Sequence, residues 1–541
     1  MTSTTSLHAR ESFDFVIVGA GSAGCVLANR LSADPSVRVL LLEAGPEDTA
    51  EAIRVPALFS SLFGSDVDWN YQLEPQAHYQ GWSRWPRGKT LGGSSSINAM
   101  IYIRGDRADF DSWRDRGCGG WGYDDVLPYF IKAEHNTRLG APLHGTNGAL
   151  HVQDRAFTHE LSPAWIDAAV EWGLQRNDDF NGASQIGAGT YQVTCRNSRR
   201  WSSADAYLRP AMARPNLVVR VGAHVTRVLF DGTRATGVAY LDSHTAAETI
   251  VRAESEVLLS GGAINSPQLL LLSGVGPAEH LRALGIDVVA DLPGVGHNLQ
   301  DHVQAPVIWA IDNCTDLLDM ATPENMALWQ SRGLGPFASN YSEAGGFQSL
   351  HGNNMADVQF SCLPTAFGNP DRSLPAARGF TVFASANHPR SRGRVWLRST
   401  DPFTPPHIDP AYLSEPADLE VIKAGLRTAI EIANHKPIAK YLKALSLPTE
   451  ASLDDTSLTE HVRRWAQTEW HAVGTCAMGA DNTAVVDPAL RVHNVEGLRV
   501  VDASVMPTVI SGNTNAATMM IAEKAADLIT MCGRRCLTPQ S

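Results

Sequence analysis

Residues 13–45 read FDFVIVGAGSAGCVLANRLSADPSVRVLLLEAG, and their reading decides the fold. Phe13–Val18 is an apolar run with β-branched residues, which predicts a strand. Gly19, Gly21 and Gly24 form GxGxxG, Ala23–Leu31 predicts a helix, and Val37–Leu42 predicts a second strand closed by Glu43. Gly19 permits the tight turn, Gly21 lets backbone approach a pyrophosphate, and Gly24 lets helix and strand pack closely. The N–H groups of the helix N-terminus, with Ser22 and Ala23, offer the positive dipole end to phosphate. Glu43 lies about twenty residues downstream, where a carboxylate accepts both ribose hydroxyls. It would repel a 2′-phosphate, so NADP is disfavoured. The stretch specifies an adenine dinucleotide site. FAD and NAD both fit it, and the alternative is a glycine turn in an ordinary β-α-β unit.

The bulk numbers set outer limits. At 541 residues the chain exceeds one hydrophobic core, so at least two domains are expected. Lys plus Arg is 44 and Asp plus Glu is 57, a net charge of −13, which argues against nucleic acid as a partner. No apolar run approaches the roughly 18 residues of a membrane span. The opening MTSTTSLHARESFDF lacks an apolar h-region, so no secretory signal is expected and the simplest localisation is cytoplasmic. The eight cysteines are scattered without a CxxC pair, which predicts neither disulfides nor a metal site. Cys532 and Cys536 have helix-like spacing in a tail expected to fray.

Three later segments carry signals. Arg87–Arg104, RGKTLGGSSSINAMIYIR, places Gly92 and Gly93 before three serines and Asn98; small residues admit a bound group and the hydroxyls can donate to it. Ser202–Leu208 predicts a helix stopped by Pro210. Leu217–Val221, Arg227–Phe230 and Ala235–Leu241 read as strands of an antiparallel piece. Glu256–Ser260 is a strand feeding Gly261–Gly262–Ala263, then an apolar helix from about Ser266 ended by Gly274. That order suggests a return to the first sheet. From about 301 to 470 the composition changes, and Leu419, Ile422, Leu426 and Ile430 share a helical face. Leu498–Val501 is a strand running into Asp502–Ala503. A helix with Ile521, Ala525, Leu528 and Ile529 on one face follows, with Ser511, Asn513, Thr514 and Asn515 as candidate N-caps.

Four blocks, VIVGAGSAGCVLANRLS with LLLEAG, GKTLGGSSSINAMIYIRG, GGAINSPQLLLLSGVGP, and WHAVGTCAMG with LRVVDASVMPTVISGNTNAATMMIAEKAADLI, resemble the glucose–methanol–choline (GMC) oxidoreductases in the family's order. The resemblance implies FAD, and an α/β fold: a Rossmann-like FAD-binding domain with an inserted α+β substrate-binding domain. The implied segments are 1–155, 201–300 and 471–541 for FAD, and 156–200 and 301–470 for substrate. It implies cofactor contacts at Gly19, Gly21, Ser22, Ala23, Gly24, Glu43 and Ala44, at Gly92, Gly93, Ser95, Asn98 and Ala99, at Val225, and at Asp502, Ala503, Asn513 and Thr514. His471 matches the family's catalytic histidine and Asn513 its partner. Ile97 stands where some members link a histidine to the flavin, so the FAD is expected to be noncovalent.

A hydride leaves an alcohol carbon once its hydroxyl proton is being removed, so a base of pKa near the working pH is needed. His471 would take the proton and Asn513 would steady the developing alkoxide. His302, in NLQDHV, reads as structural. Glu469 is unusual beside relatives and is either a tuning group or a surface-facing carboxylate. Glu343, in SNYSEAGGF, resembles the cation anchor of choline-oxidising members, and Trp470 resembles an aromatic pocket wall. The partners implied are a small primary alcohol and an electron acceptor: a quinone, a dye or O2. Dehydrogenase is favoured over oxidase, with a hydroxynitrile lyase and an NAD-dependent dehydrogenase as alternatives. The oligomeric state stays open.

Overall fold

The computed structural model describes residues 11–243, 245–352, 355–368, 378–449 and 453–536, with side chains to Met531. The side chains of Cys532 and Cys536, and the leader up to residue 10, lie outside the described residues.

The opening stretch folds as read. Ser12–Val18 is a central strand, Ser22–Leu31 the helix, and Val39–Leu42 the next strand, paired in parallel with the first. Every residue of the second strand is buried, as a strand covered on both faces requires. The chain then leaves and comes back. Glu248–Leu259 lies parallel on the other side of Ser12–Val18, and Leu498–Val500 pairs in parallel with its last residues. An antiparallel pair, Ala223–Asp231 and Arg234–Asp242, completes that edge. Leu217–Arg220 corrects an expectation. It is not part of the antiparallel piece but an edge strand parallel to Val39–Leu42, with Leu217 opposite Val39.

Two helix readings also change. The helix expected from Ser266 begins at Gly262 and carries Pro267 inside it. Pro267 would orphan the carbonyl of Ala263, four residues back; Thr475 Oγ1 donates to that carbonyl at 2.7 Å instead. Pro210 does not stop its helix. A π-helical turn, Ala204–Leu208, runs into Arg209–Ala211, where Pro210 occupies the first turn and needs no N–H donor.

A second seven-stranded sheet takes Gly187–Thr190, Val303–Ile311, Ala344–Gln348, Val358–Leu363, Gly379–Ala386, Leu442–Leu447 and Gln467–Thr468. Pairing within this sheet is antiparallel. Pro416–Ala433 covers one face. Its Gly425 lies so close that a Cβ there would sit 2.8 Å from Ala384 Cβ. Directly opposed residues share a face. Gln304, Gln359, Ser361, Leu363, Phe383 and Ser385 therefore point together to the other side.

The C-terminal helix, Asn515–Cys536, packs along the first helix. Arg30 grips the buried Glu523 with two hydrogen bonds, 2.8 Å from Nε and 2.6 Å from Nη2. Among the described residues no helix is long and apolar enough to cross a membrane.

Candidate active site

A continuous cleft runs from the end of the first sheet to the uncovered face of the second. At its dinucleotide end, three backbone segments meet with no room for side chains. A Cβ on Gly19, where φ is +99°, would lie 2.6 Å from Ser260 O, and one on Gly93 would lie 2.7 Å from Gly21 Cα. The first helix starts at Gly21 without a side-chain cap, so its leading N–H groups face the cleft unsatisfied. A pyrophosphate supplies the acceptors they lack.

Glu43 is held by the backbone: Oε2 accepts from Ala20 N and Oε1 from Gly45 N, both at 2.9 Å. Each oxygen keeps a lone pair for a ribose hydroxyl. Burial pushes its carboxyl up to about 7, against the two backbone N–H groups and Lys89. Asp502 is fixed in the same way, accepting from Gly262 N and Ser266 Oγ at 2.8 and 2.6 Å through Oδ2, and from Ser504 N at 2.8 Å through Oδ1. Burial raises it too. These anchored acids, the bare glycine cradle and the uncapped helix fit FAD.

Most expected contacts line this cleft: Gly19, Gly21, Ser22, Ala23, Glu43, Ala44, Gly93, Asn98, Ala99, Val225, Asp502, Ala503, Asn513 and Thr514. Three do not. Gly24 is spent on packing, because a Cβ there would be 1.9 Å from Gly19 O. Gly92 forms the left-handed turn behind the cleft, and the Ser95 hydroxyl is turned onto the Gly92 carbonyl at 2.6 Å. The neighbouring Ser94 lines the cleft instead. Ile97 lines it with no nucleophile, as noncovalent binding requires. Of the helix-cap candidates, Ser511 bonds Asp109 and His388, and Asn513 serves the site.

At the far end His302, His471, Asn513 and Gln359 form a hydrogen-bonded chain. His302 Nε2 lies 2.9 Å from the carbonyl of Asn387, which can only accept, so that nitrogen carries the proton. Burial drives His302 down to about 4, so the ring is neutral and its Nδ1 accepts. His471 Nδ1, at 2.9 Å, must therefore be the donor. That leaves His471 Nε2 unprotonated, 3.1 Å from Asn513 Nδ2. Gln359 Nε2 donates to Asn513 Oδ1 at 3.4 Å, which fixes the orientation of that amide. Burial first, then His302 and Arg87, hold His471 well below the usual histidine range. Its backbone N donates to Asp301 Oδ1 at 2.6 Å, and the hydroxyls of Thr468 and Tyr412 hold the other oxygen of Asp301.

His302, Glu469 and His471 place donor atoms of metal-ligand type within 4.8 Å of one another. The two Nδ1 atoms share a hydrogen bond, so a proton sits where a cation would be held.

Two expectations change here. Glu343 is not on the cleft wall. It is fully buried behind it, accepting from His159 N at 2.7 Å, Ser162 Oγ at 2.7 Å and Ser339 Oγ at 2.6 Å. Three inward donors satisfy its charge and leave it no role as a cation anchor. Glu469, conversely, is no surface carboxylate. It is 8% exposed, lines the cleft, and brings Oε2 to 3.4 Å from His471 Nδ1. Trp470 lines the cleft as expected, its backbone held left-handed at φ 61° by Thr468 Oγ1 and Arg87 Nη2. Arg87 and Gln359 escaped the sequence reading. Arg87 stood inside a quoted block, RGKTLGG, whereas Gln359 carries no motif signal.

Comparison with known proteins agrees. Two family models, both described as GMC oxidoreductase, match residues 13–304 and 389–522. An alcohol dehydrogenase [acceptor] from Pseudomonas putida is 44% identical over 96% of this chain and 95% of its own length. A mitochondrial choline dehydrogenase from Mus musculus is 43% identical over 96% and 90%. A solved structure concerned with FAD modification in Aspergillus oryzae RIB40 formate oxidase is 26% identical, with a TM-score of 0.91 over 97% of this chain and 99% of that one.

Proposed function

The chain belongs to the GMC oxidoreductase family, an FAD enzyme family, and from that premise we propose that it oxidises a primary alcohol to the aldehyde with His471 as the base. The observation that carries this reading is the unprotonated Nε2 of His471, fixed by His302 and directed into the cleft beside Asn513. FAD, when bound, supplies the hydride acceptor. His471 removes the hydroxyl proton at Nε2, and its depressed pKa keeps it a base throughout the neutral range. Asn513 donates from Nδ2 to the oxygen that gains charge. Asp301 holds the His471 backbone, so the base cannot retreat.

We favour an acceptor other than O2, because the relatives at 44% and 43% identity are named dehydrogenases. The five-segment domain division set out above is proposed alongside, supported by the membership of the two sheets. The test is anaerobic mixing of the yellow holoenzyme with an alcohol panel, repeated in air with peroxide detection. Bleaching by a primary alcohol is expected. A flavin that no alcohol reduces would sink the proposal and revive a non-redox lyase.

A further inference from the structure

The substrate end of the cleft is polar in a way that proton abstraction does not need. Glu469 Oε1 is buried and has no hydrogen-bond partner, and neither has the indole Nε1 of Trp470. Both residues line the cleft and immediately precede His471 in the chain. Asn340 Oδ1 and Ser342 Oγ are also buried and unpartnered, and both residues line the cleft. Behind them the sheet turns Gln304 and Ser361 into the cleft, interleaved with Leu363 and Phe383. Ser385, on that same face, donates to the Val303 carbonyl at 3.4 Å.

We infer that the alcohol taken by this cleft carries a second hydroxyl, and that Glu469 is the residue that reads it. The inference rests on the proposed alcohol oxidation. Buried polar atoms are ordinarily paired, so orphans on a cleft wall describe the ligand that pairs them. The set mixes a donor, Trp470 Nε1, with an acceptor, Asn340 Oδ1, and groups able to do both. A hydroxyl, donor and acceptor at once, answers either sense. A hydrocarbon tail would leave every one of them unpaired. A quaternary ammonium head offers no donor or acceptor, and it would face the positive edge of the Trp470 N–H. Burial first, opposed by Ser385 and assisted by Asp301, pushes the Glu469 carboxyl up to about 8. At neutral pH it is therefore a neutral group that both donates and accepts, which suits a hydroxyl better than a cation.

The test compares propan-1-ol, propane-1,3-diol, glycerol and choline as anaerobic reductants of the wild-type holoenzyme. The diol or triol should exceed propan-1-ol and choline by about tenfold or more in kcat/KM, because a site built for a hydroxyl discriminates strongly against its absence. Glu469→Val should lose that advantage, the ratio of diol to propan-1-ol kcat/KM falling to about one, and Glu469→Gln, which still donates and accepts, should keep most of it. Equal wild-type rates on diol and propan-1-ol, a preference for choline, or an equal loss on all substrates in Glu469→Val would overturn the inference while alcohol oxidation stood. Reduction by no alcohol at all would remove both.

Discussion

His302 and His471 face each other through their Nδ1 atoms at 2.9 Å, with ring planes 88° apart. The perpendicular arrangement lets one ring donate in plane into the lone pair of the other. The carbonyl of Asn387 sets the direction of the donation from 2.9 Å beyond His302 Nε2. A group that reads as structural in the sequence therefore decides which nitrogen of His471 is unprotonated.

Replacing His302 should damage turnover without damaging cofactor binding. In His302→Phe the His471 tautomer is no longer held, and flavin reduction should slow by about 10- to 100-fold, less than the 10²–10⁴ of a lost general base. Stopped-flow reduction rates checked against bound FAD would decide; a rate unchanged within twofold refutes the tautomer lock.

Asn513→Ala should cost about 10²–10³ in the reductive rate, the magnitude of a lost oxyanion donor. Gln359→Leu should cost less, about tenfold, because it frees the amide to turn over but leaves the donor present. The double variant should be no slower than Asn513→Ala alone, since Gln359 reaches His471 through that amide.

Glu469 should write a limb into the pH profile. Below about 8 it is protonated; above that, a carboxylate 3.4 Å from His471 Nδ1 stabilises the imidazolium formed as the proton is taken. The reduction rate should therefore rise through pH 8, and Glu469→Gln should flatten the rise. The stability consequence has a definite sign. A carboxyl raised from 4.5 to about 8 by folding contributes stability below pH 4.5 that is lost as pH climbs through 8. The melting temperature of Glu469→Gln should gain on the wild type between pH 5 and pH 9; a parallel course would show that Glu469 does not titrate there.

Gly24→Ala should fail at the level of the folded cofactor site. Its Cβ would stand 1.9 Å from Gly19 O, and neither backbone segment can withdraw without opening the phosphate cradle. Expression should yield little FAD-loaded protein, as read by the 450 nm flavin band per chain. Normal loading would show that helix and strand can separate at no cost.

Much of this was legible in the chain. Apolar runs on either side of a glycine turn found the opening strand, helix and strand, and the small residues near 261 and 502 foretold two returns to the same sheet. Local readings failed where the deciding contact was distant. The helix reads as starting near Ser266, and only Thr475, more than two hundred residues later, takes the carbonyl that Pro267 orphans and lets it begin at Gly262. Leu217–Arg220 looks like its antiparallel neighbours, and only the free edge of Val39–Leu42 makes it parallel.

By itself the sequence determined the dinucleotide cradle, because glycine spacing, strand length and a terminal acid are properties of neighbours along the chain. It also marked His471 and Asn513, through resemblance of the blocks that hold them. Tertiary structure alone decided which carboxylate lines the cleft. Glu343 sits in a stretch that resembles a cation site, yet His159 and Ser162 from a distant segment, with Ser339 beside it, turn it inward. Glu469 carries no such signal, yet the sheet edge at Gln467–Thr468 delivers it to the cleft wall beside the base. Burial and hydrogen-bond partners fix the direction, protonation and reach of a charged side chain, and these are set by residues far away in the chain.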